Sequence, residues 1–324
     1  MAEKNLHSEA ANLQERLEVL PVNEREKLEK SWDSLKAMIP EGEPPEGINI
    51  SKVEFKNSEE RRAKVDEMQK FLLKAFEGEE MVDEMQMDIG MQHEIVDYYE
   101  ARDAEGKMVS LLSSQMVESK NKLGESELSM VVWYVANDPD YKGKSVTKQL
   151  GAAALEGFLQ KAKDQLKPAK AILGEAELGD EDEAKREKAF NRYADMKRLY
   201  GKDKKGKLFE VLYEAPPEDE STKGAPAHFM AKMVDGNNTL SKGDYMELVK
   251  GIHAQYTRPE YSTPEYAAFE YGGKPEDYSL EKVEGGRQRY IGVVENIQTK
   301  IEKKLKPAQG DLVFLSEREF RKEL

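Results

Sequence analysis

The segment Leu128–Val135 is apolar on both faces and rich in β-branched and aromatic residues. This pattern is typical of a central strand that is covered on both sides. The polar residues at 137–140 include Asn, Asp and Pro, which end a strand. From Val146 onward, the apolar and small residues recur with a helical period, at Val146, Leu150, Ala153, Ala154, Gly157 and Phe158. The pattern predicts a buried strand, a turn rich in Gly, Lys and Ser, and a helix.

Upstream of this unit, the apolar pattern predicts three further strands and one helix. Imperfect alternation over 48–55 indicates a strand, and Asn57, three residues before a glutamate, is a plausible cap for an amphipathic helix that ends near Phe76. Residues 93–101 and 108–117 have strand patterns on either side of an Asp-Ala-Glu-Gly turn. Together with Leu128–Val135, the strands at 93–101 and 108–117 make three antiparallel strands that lead into the helix that begins at Val146.

Downstream, residues 169–177 predict a strand that lies parallel to Leu128–Val135, because a crossover helix joins the two. Acidic residues at 180–183 predict the start of a helix that ends at Gly201. Further strands are predicted at 209–215 and 228–234. The fold class predicted is α/β (α+β), with a mixed, mostly antiparallel central sheet flanked by helices.

The pattern divides the chain into three parts. Residues 1–46 form an N-terminal helical extension and linker, with an apolar stripe at Leu28, Trp32, Leu35 and Ile39 that suits docking on the main domain or binding of a partner. Residues 47–235 form the main domain. Residues 236–324 form a C-terminal helical, Tyr-rich extension, expected to pack on the core in an ordered form because it has too many aromatic residues for a disordered tail.

Composition narrows the class of protein. The 324 residues carry a net charge of −14, which argues against sequence-independent nucleic-acid binding. No apolar run approaches the ~20 residues of a membrane helix, and the polar start lacks a signal-peptide pattern, so we expect a cytoplasmic protein that does not bind a membrane. We also expect a monomer or a homodimer. The absence of Cys excludes disulfides and thiolate metal sites, and four scattered His give no metal-ligand spacing, so no metal is expected.

The turn before the Val146 helix is a candidate anion site. A helix start carries unpaired N–H groups and a partial positive charge, which attract phosphate. The Walker pattern is absent, and the alternative is a solvated basic turn. The frame Tyr141-Lys142-Gly143-Lys144, followed by Leu150, resembles the Tyr-Arg-Gly-Lys-Gly-x-Gly signature of the GNAT family of acyl-CoA-dependent N-acyltransferases. Ser145 and Thr147 stand where that signature has glycines.

The resemblance implies acetyl-CoA as co-substrate and an amine acceptor, either a small molecule or a protein or peptide amine, attacked directly without a covalent enzyme intermediate. It implies that the backbone at Lys142, Gly143, Lys144, Ser145, Val146 and Thr147 binds the diphosphate. The oxyanion donor is expected near Tyr134, Val135 and Ala136. Glu175 and Glu177 are candidates for the base or a cation-binding group, and Tyr213 is a candidate acid, along with Tyr193 and Tyr200, because Lys197 stands where the family often has a Tyr.

Alternatives remain open. A GNAT-like binding or scaffold protein without catalysis is one, and a helical adaptor without strands at 93–135 is another. The methionines at 81, 85, 87 and 91 suit either the floor of an acceptor site or core packing. The Tyr- and Pro-rich stretch at 259–278 suits either a wall of the acceptor pocket or coverage of apolar surface.

Overall fold

The computed structural model describes residues 13–75, 84–141, 145–177, 197–217 and 225–323. The strands are β1 (Asn49–Lys52), β2 (Val96–Arg102), β3 (Met108–Lys120), β4 (Ser126–Asn137), β5 (Ala169–Glu177), β6 (Lys197–Lys202), β7 (Leu208–Glu210), β8 (Leu212–Ala215), β9 (Ala225–Met233), β10 (Thr239–Leu240) and β11 (Leu312–Leu315). The helices are α1 (Val22–Met38), α2 (Ser58–Ala75), α3 (Glu84–Gln92), α4 (Val146–Asp164), α5 (Lys242–Tyr256), α6 (Pro264–Tyr271), α7 (Leu280–Leu305) and α8 (Glu317–Glu323).

One mixed sheet contains all of the described strands. Its order is β1-β2-β3-β4-β5-β9-β6-β11-β10, with β7 beside β6 and β8 beside β9. Among the described strands, β4 and β5 form the one parallel pair, and the other pairs are antiparallel. The predicted fold class is therefore confirmed, as are the three antiparallel strands before α4 and the exact bounds of β5. The strands at 93–135 rule out the helical adaptor.

Local signals explain several of these elements. The Asn57 side chain accepts from the Glu60 N–H at 2.9 Å and so caps the start of α2. The Glu60 carboxylate accepts from the Lys56 N–H at 2.9 Å, which fixes the residue before the cap. Gly106 in the predicted turn between β2 and β3 has φ of 82°, which glycine adopts at little steric cost. The helix cap and the turn were both predictable from the sequence because each depends on residues that are close together in the chain.

Helices cover both faces of the sheet. On one face, α1 and α4 pack against apolar side chains of β2 to β5, including Leu112, Met130 and Val132. On the other face, α2 and α3 cover the β2–β4 side, while α5 and α7 cover β5, β8 and β9. The apolar stripe of α1 is buried at Leu28, Trp32 and Leu35. The Trp32 indole also donates to the Lys167 carbonyl at 3.0 Å, so the stripe docks on the main sheet.

One predicted helix is wrong in its described part. The prediction placed a helix end at Arg198–Gly201, but these residues lie in β6 and are buried on both faces. A short apolar run does not distinguish a buried strand from a helix end. Pairing with β11, more than 100 residues later in the chain, decides the outcome. The rest of that predicted helix, 178–196, including Tyr193, lies outside the described residues.

Other strand boundaries in the structure differ from the predicted ones for local reasons. The strand predicted at 93–101 begins at Val96, because α3 runs to Gln92 and Glu94 then turns the chain with φ of 52°. The strand predicted at 209–215 is interrupted at Val211 and forms β7 and β8, which pair with different neighbours. The strand predicted at 48–55 is shorter, at Asn49–Lys52.

The C-terminal segment is integrated into the fold. Strand β11 pairs with β6 and with β10, so residues from this segment extend the central sheet. Helix α7 buries Val294, Ile297, Ile301 and Leu305. The Pro- and Tyr-rich stretch folds into α6 and short helical turns, as the prediction of an ordered segment required, and Tyr266 accepts from Gln86 of α3 at 2.5 Å. None of the helices in the described part of the chain combines the length and apolar composition needed to cross a bilayer.

Gly251 marks the closest approach of α5 to the sheet. A Cβ at Gly251 would lie 2.7 Å from the Glu118 carbonyl oxygen of β3, whereas a Cβ at Gly292 of α7 would meet no atom within 4 Å. In urea unfolding, we expect Gly251→Ala to destabilise the protein by about 1–3 kcal/mol, because backbone must move. We expect Gly292→Ala to stabilise it by about 0.5–1 kcal/mol through helix propensity. Equal shifts for the two variants would contradict the close docking of α5.

Candidate functional site

Strands β4 and β5 pair over only part of their length. The parallel register runs from Leu128 opposite Ala169 to Val132 opposite Gly174. Both strands continue, to Asn137 and Glu177, without further pairing to each other. The sheet therefore opens between them at the carboxyl ends of the two parallel strands.

A β-bulge lies at this opening. Ser113 of β3 is opposite Tyr134, and Ser114 is opposite Val132, so Trp133 is the extra residue. The bulge places the side chains of Trp133 and Tyr134 on the same face, against the clusters built by α5 and α2, whereas Val132 and Val135 face α4. Two adjacent aromatic rings therefore border the opening on the face opposite α4.

The backbone of β4 beyond the bulge has a defined orientation. The Tyr134 N–H donates to the Ser113 hydroxyl at 3.1 Å, the Ala136 carbonyl accepts from the Ser110 hydroxyl at 2.9 Å, and the Asp138 N–H donates to Val109. These three residues direct their backbone polar groups to β3. Because direction alternates along a strand, the Val135 N–H points to the other side, where β5 has separated.

Helix α4 begins beside the end of β4. Its N-cap residue, Ser145, has φ of 61° and no capping hydrogen bond from its side chain. This left-handed conformation is one that glycine adopts more readily. Thr147 is exposed, and its hydroxyl donates to the Asn137 side-chain oxygen at 2.8 Å. The Val146 side chain is buried against the sheet, leaving its backbone for the anion role predicted there. Lys142, Gly143 and Lys144 lie outside the described residues.

Glu175 lies on the β5 side of the opening and is half-buried. Its carboxylate accepts from the Tyr256 hydroxyl, at the end of α5, at 3.4 Å. The pKa of Tyr256 is raised well above its usual value by burial of its hydroxyl and then by the charge of Glu175. The same two causes, in the same order, raise the pKa of Tyr213, whose side chain is fully buried on β8. The structure thus brings the predicted residues Glu175 and Tyr213 together.

Other predicted residues have different positions. Tyr200 is buried in β6 and stacks on Phe320 at a centroid distance of 4.2 Å, which is a packing role. Glu177 lies at the end of β5, opposite Ala227 of β9. Met87 and Met91 are buried in the core cluster with α2, which favours core packing for the methionine-rich segment, and Met81 lies outside the described residues.

Sequence reasoning missed two contributors from the C-terminal segment. Tyr256 and Tyr290 lie in the C-terminal extension, which the sequence predicts to be helical and Tyr-rich, and neither is among the predicted site residues. The Tyr256 ring meets the Trp133 ring edge-on at 6.0 Å, and Tyr290 and Tyr134 are close enough to affect the pKa of Tyr256. The predicted helical character of this extension carries no signal that α5 and α7 reach the opening. Among the described residues, no group of three or more His, Cys, Asp or Glu side chains could hold a metal.

Comparison with known proteins gives structural neighbours only. No model of a protein family and no curated protein matches the chain. Solved structures with partial overlap include Arabidopsis thaliana NAA60 in complex with acetyl-CoA (6% identity, 58% of this chain and 99% of that chain, TM-score 0.37). The ribosomal-protein-S18-alanine N-acetyltransferase from Escherichia coli has 13% identity, 58% and 94% coverage, and a TM-score of 0.34. The solved structures that the chain resembles are GNAT-type acetyltransferases.

A further neighbour is the GCN5-related glucosamine N-acetyltransferase region of a fungal multi-domain β-N-acetylglucosaminidase, with 18% identity, 49% of this chain covered and a TM-score of 0.34. The match spans 19% of the length of that protein. Because these overlaps are partial and the TM-scores are low, the neighbours do not establish a function for this chain.

His253 of α5 supports a pH prediction for the buried layer behind Glu175. It has no exposed surface, its ring lies 5.2 Å from that of Tyr213, and burial lowers its pKa to about 4 from 6.5. Folding therefore favours the neutral imidazole, so its stabilising contribution is present above pH 6.5 and is lost as the pH falls towards 4. From pH 7.5 to pH 5, we expect wild type to lose about 2 kcal/mol more unfolding free energy than His253→Leu. Parallel pH profiles in urea unfolding would contradict this assignment.

Proposed function

We propose that the chain is an acyl-CoA-dependent N-acyltransferase that transfers an acetyl group from acetyl-CoA to an amine. The observation that carries the proposal is the separation of β4 from β5 after Val132, next to the bulge at Trp133. The separation leaves the Val135 N–H directed into the opening, and α4 begins at the same end of β4. An extended pantetheine arm that entered between the strands would have a backbone donor beside it and a helix N-terminus for its diphosphate.

The residues around the opening suit the three tasks of direct transfer. The Val135 N–H is the proposed hydrogen-bond donor to the thioester oxygen, where negative charge develops during attack. Glu175 would take a proton from the amine. Tyr213 is too deeply buried to touch a substrate, so we assign it a positioning role beside Glu175. The backbone of residues 142–147 remains the proposed diphosphate site.

In the proposed reaction, the amine nitrogen bonds to the carbonyl carbon of the thioester, and the carbon–sulfur bond breaks. The amine gives up a proton, and the departing thiolate takes one. The opening has two sides for the two substrates, because α4 lies on one face of the sheet and Glu175 shares the other face with Tyr256. Acetyl-CoA supplies the activated acyl group, and the chain supplies orientation, charge stabilisation and proton transfer.

A second candidate is a GNAT-like binding protein without catalysis. It is favoured by the side chains at Ser145 and Thr147, which stand where the signature has glycines. Ser145 adopts the left-handed conformation with a Cβ present. If the Cβ crowds the diphosphate, wild type will not bind acetyl-CoA, and Ser145→Gly will bind it. Binding by wild type would remove this reason for the second candidate.

The test of the proposed function is calorimetric titration with acetyl-CoA, followed by an assay of thiol release with hexylamine as acceptor. We expect saturable binding to wild type and to Glu175→Gln, because Glu175 lies away from the diphosphate site. We expect Glu175→Gln to lower the rate of amine-dependent thiol release by about 10²–10⁴-fold through loss of the base. Glu214→Gln, a matched change on strand β8, which pairs with β9 and not with β5, should retain the wild-type rate. Absence of acetyl-CoA binding at millimolar ligand would overturn the proposal.

A further inference from the structure

Five side chains surround the opening on the face opposite α4. Trp133 and Tyr134 come from β4, Glu175 from β5, Tyr256 from α5 and Tyr290 from α7. Each of the five is half-buried, in contrast to Tyr213, Tyr245 and His253, which are fully buried behind them. The Tyr256 ring meets that of Trp133, and its hydroxyl donates to the Glu175 carboxylate, so the half-buried set groups four aromatic rings around one carboxylate.

Hydrogen bonds hold this surface in place across three elements. The Trp133 indole N–H donates to the Gln115 side-chain oxygen of β3 at 2.8 Å, and the Gln115 amide donates to Gln255 of α5 at 2.6 Å. Arg258 donates to the same Gln255 oxygen at 3.0 Å and pairs with Glu260 at 3.2 Å. Because Gln255 precedes Tyr256, this chain of contacts fixes the Trp133 and Tyr256 rings relative to each other.

We propose that Trp133, Tyr134, Glu175, Tyr256 and Tyr290 form the acceptor pocket, and that it binds a small organic amine in its ammonium form. This inference rests on the proposed function and names its acceptor class. The faces of aromatic rings attract cations, and a partly desolvated carboxylate adds a charge-assisted hydrogen bond to the ammonium N–H groups. A neutral alcohol of the same length gains neither interaction.

The pocket depends on the C-terminal segment. Tyr256 and Tyr290 both lie within residues 236–324, and Arg287 of α7 donates to the Thr257 carbonyl at 2.9 Å, which ties α7 to the end of α5. In this proposal the C-terminal segment walls the acceptor pocket through Tyr256 and Tyr290, which flank the stretch 259–278. The stretch 259–278 packs against α3 and is not required to touch the amine.

The ammonium form has a defined place in the reaction. The bound ammonium ion transfers one proton to the Glu175 carboxylate, which leaves a neutral amine with a lone pair. The nitrogen bonds to the thioester carbon, the carbon–sulfur bond breaks, and the second proton lost by nitrogen passes to the thiolate. Glu175 returns its proton to solvent, so the net products are the amide, the free thiol and one proton.

Binding of hexylamine and 1-hexanol to the full-length protein at pH 7 tests the pocket without acetyl-CoA. Calorimetry should give wild type at least about ten-fold higher affinity for hexylamine than for hexanol, as expected for a cation beside aromatic rings and a carboxylate. Glu175→Gln should lose this discrimination, and Tyr256→Phe, which keeps the ring, should lose less of it than Tyr256→Ala. Tyr200→Phe, at a packing tyrosine in β6, should retain it.

The outcomes separate the two proposals. Equal affinity for amine and alcohol in wild type, or an unchanged preference for the amine in Glu175→Gln, would overturn the pocket, whatever the result with acetyl-CoA. Amine discrimination without acetyl-CoA binding would support the pocket and overturn the proposed transferase. Far-UV circular dichroism and thermal unfolding of each variant distinguish loss of the pocket from loss of the fold.

Discussion

The separation of two parallel strands is the constraint on which the candidate site depends. Hydrogen bonds between β4 and β5 end at Val132, although both strands continue. A sheet interior leaves few backbone groups unpaired, because each buried N–H without a partner costs free energy. The opening is therefore a place where a strand-like ligand gains backbone contacts that the protein does not supply itself. The bulge at Trp133 coincides with it and redirects the side chains that follow.

The two faces of the sheet give the opening two different chemical sides. Helix α4 crosses one face, so its N-terminus lies beside the end of β4 and favours an anion. The other face carries aromatic rings and Glu175, with α5 and α7 packed behind them. A phosphate-bearing donor and a cationic acceptor would therefore meet from opposite faces. The same arrangement explains why the C-terminal segment contributes to both the core and the site, since α5 covers β5 and ends at Tyr256.

The sequence predicted the local parts of this architecture well. Continuous apolarity at Leu128–Val135, helical spacing from Val146 and the crossover between them were sufficient to place β4, α4 and a parallel β5. The sequence also predicted Glu175 and Tyr213 as site residues, and the structure brings the two side chains together. Features that depend on pairing between strands far apart in the sequence were harder to predict. The periodicity of Arg198–Gly201 does not reveal a partner strand at Leu312–Leu315, and for this reason a helix was predicted where β6 lies.

Side chains of the site that come from the C-terminal segment were missed for the same physical reason. An amphipathic pattern indicates which face of α5 is buried but not which strand it covers. The sequence therefore gives no signal that Tyr256 belongs to the site, and its approach to Trp133 and Glu175 follows only from the docking of α5 at Gly251. The bulge had no sequence signal either, because Trp133 and Tyr134 are both common in strands.

Hydrogen exchange of individual amides, measured by NMR with and without acetyl-CoA, tests the central claim most directly. In the free protein, the Val135 amide should exchange faster than those of Tyr134 and Ala136, which face β3. Acetyl-CoA should slow exchange at Val135 and leave its two neighbours nearly unchanged. Slow exchange at Val135 in the free protein, or no change there when acetyl-CoA is added, would contradict an opening between β4 and β5 that binds the acyl donor.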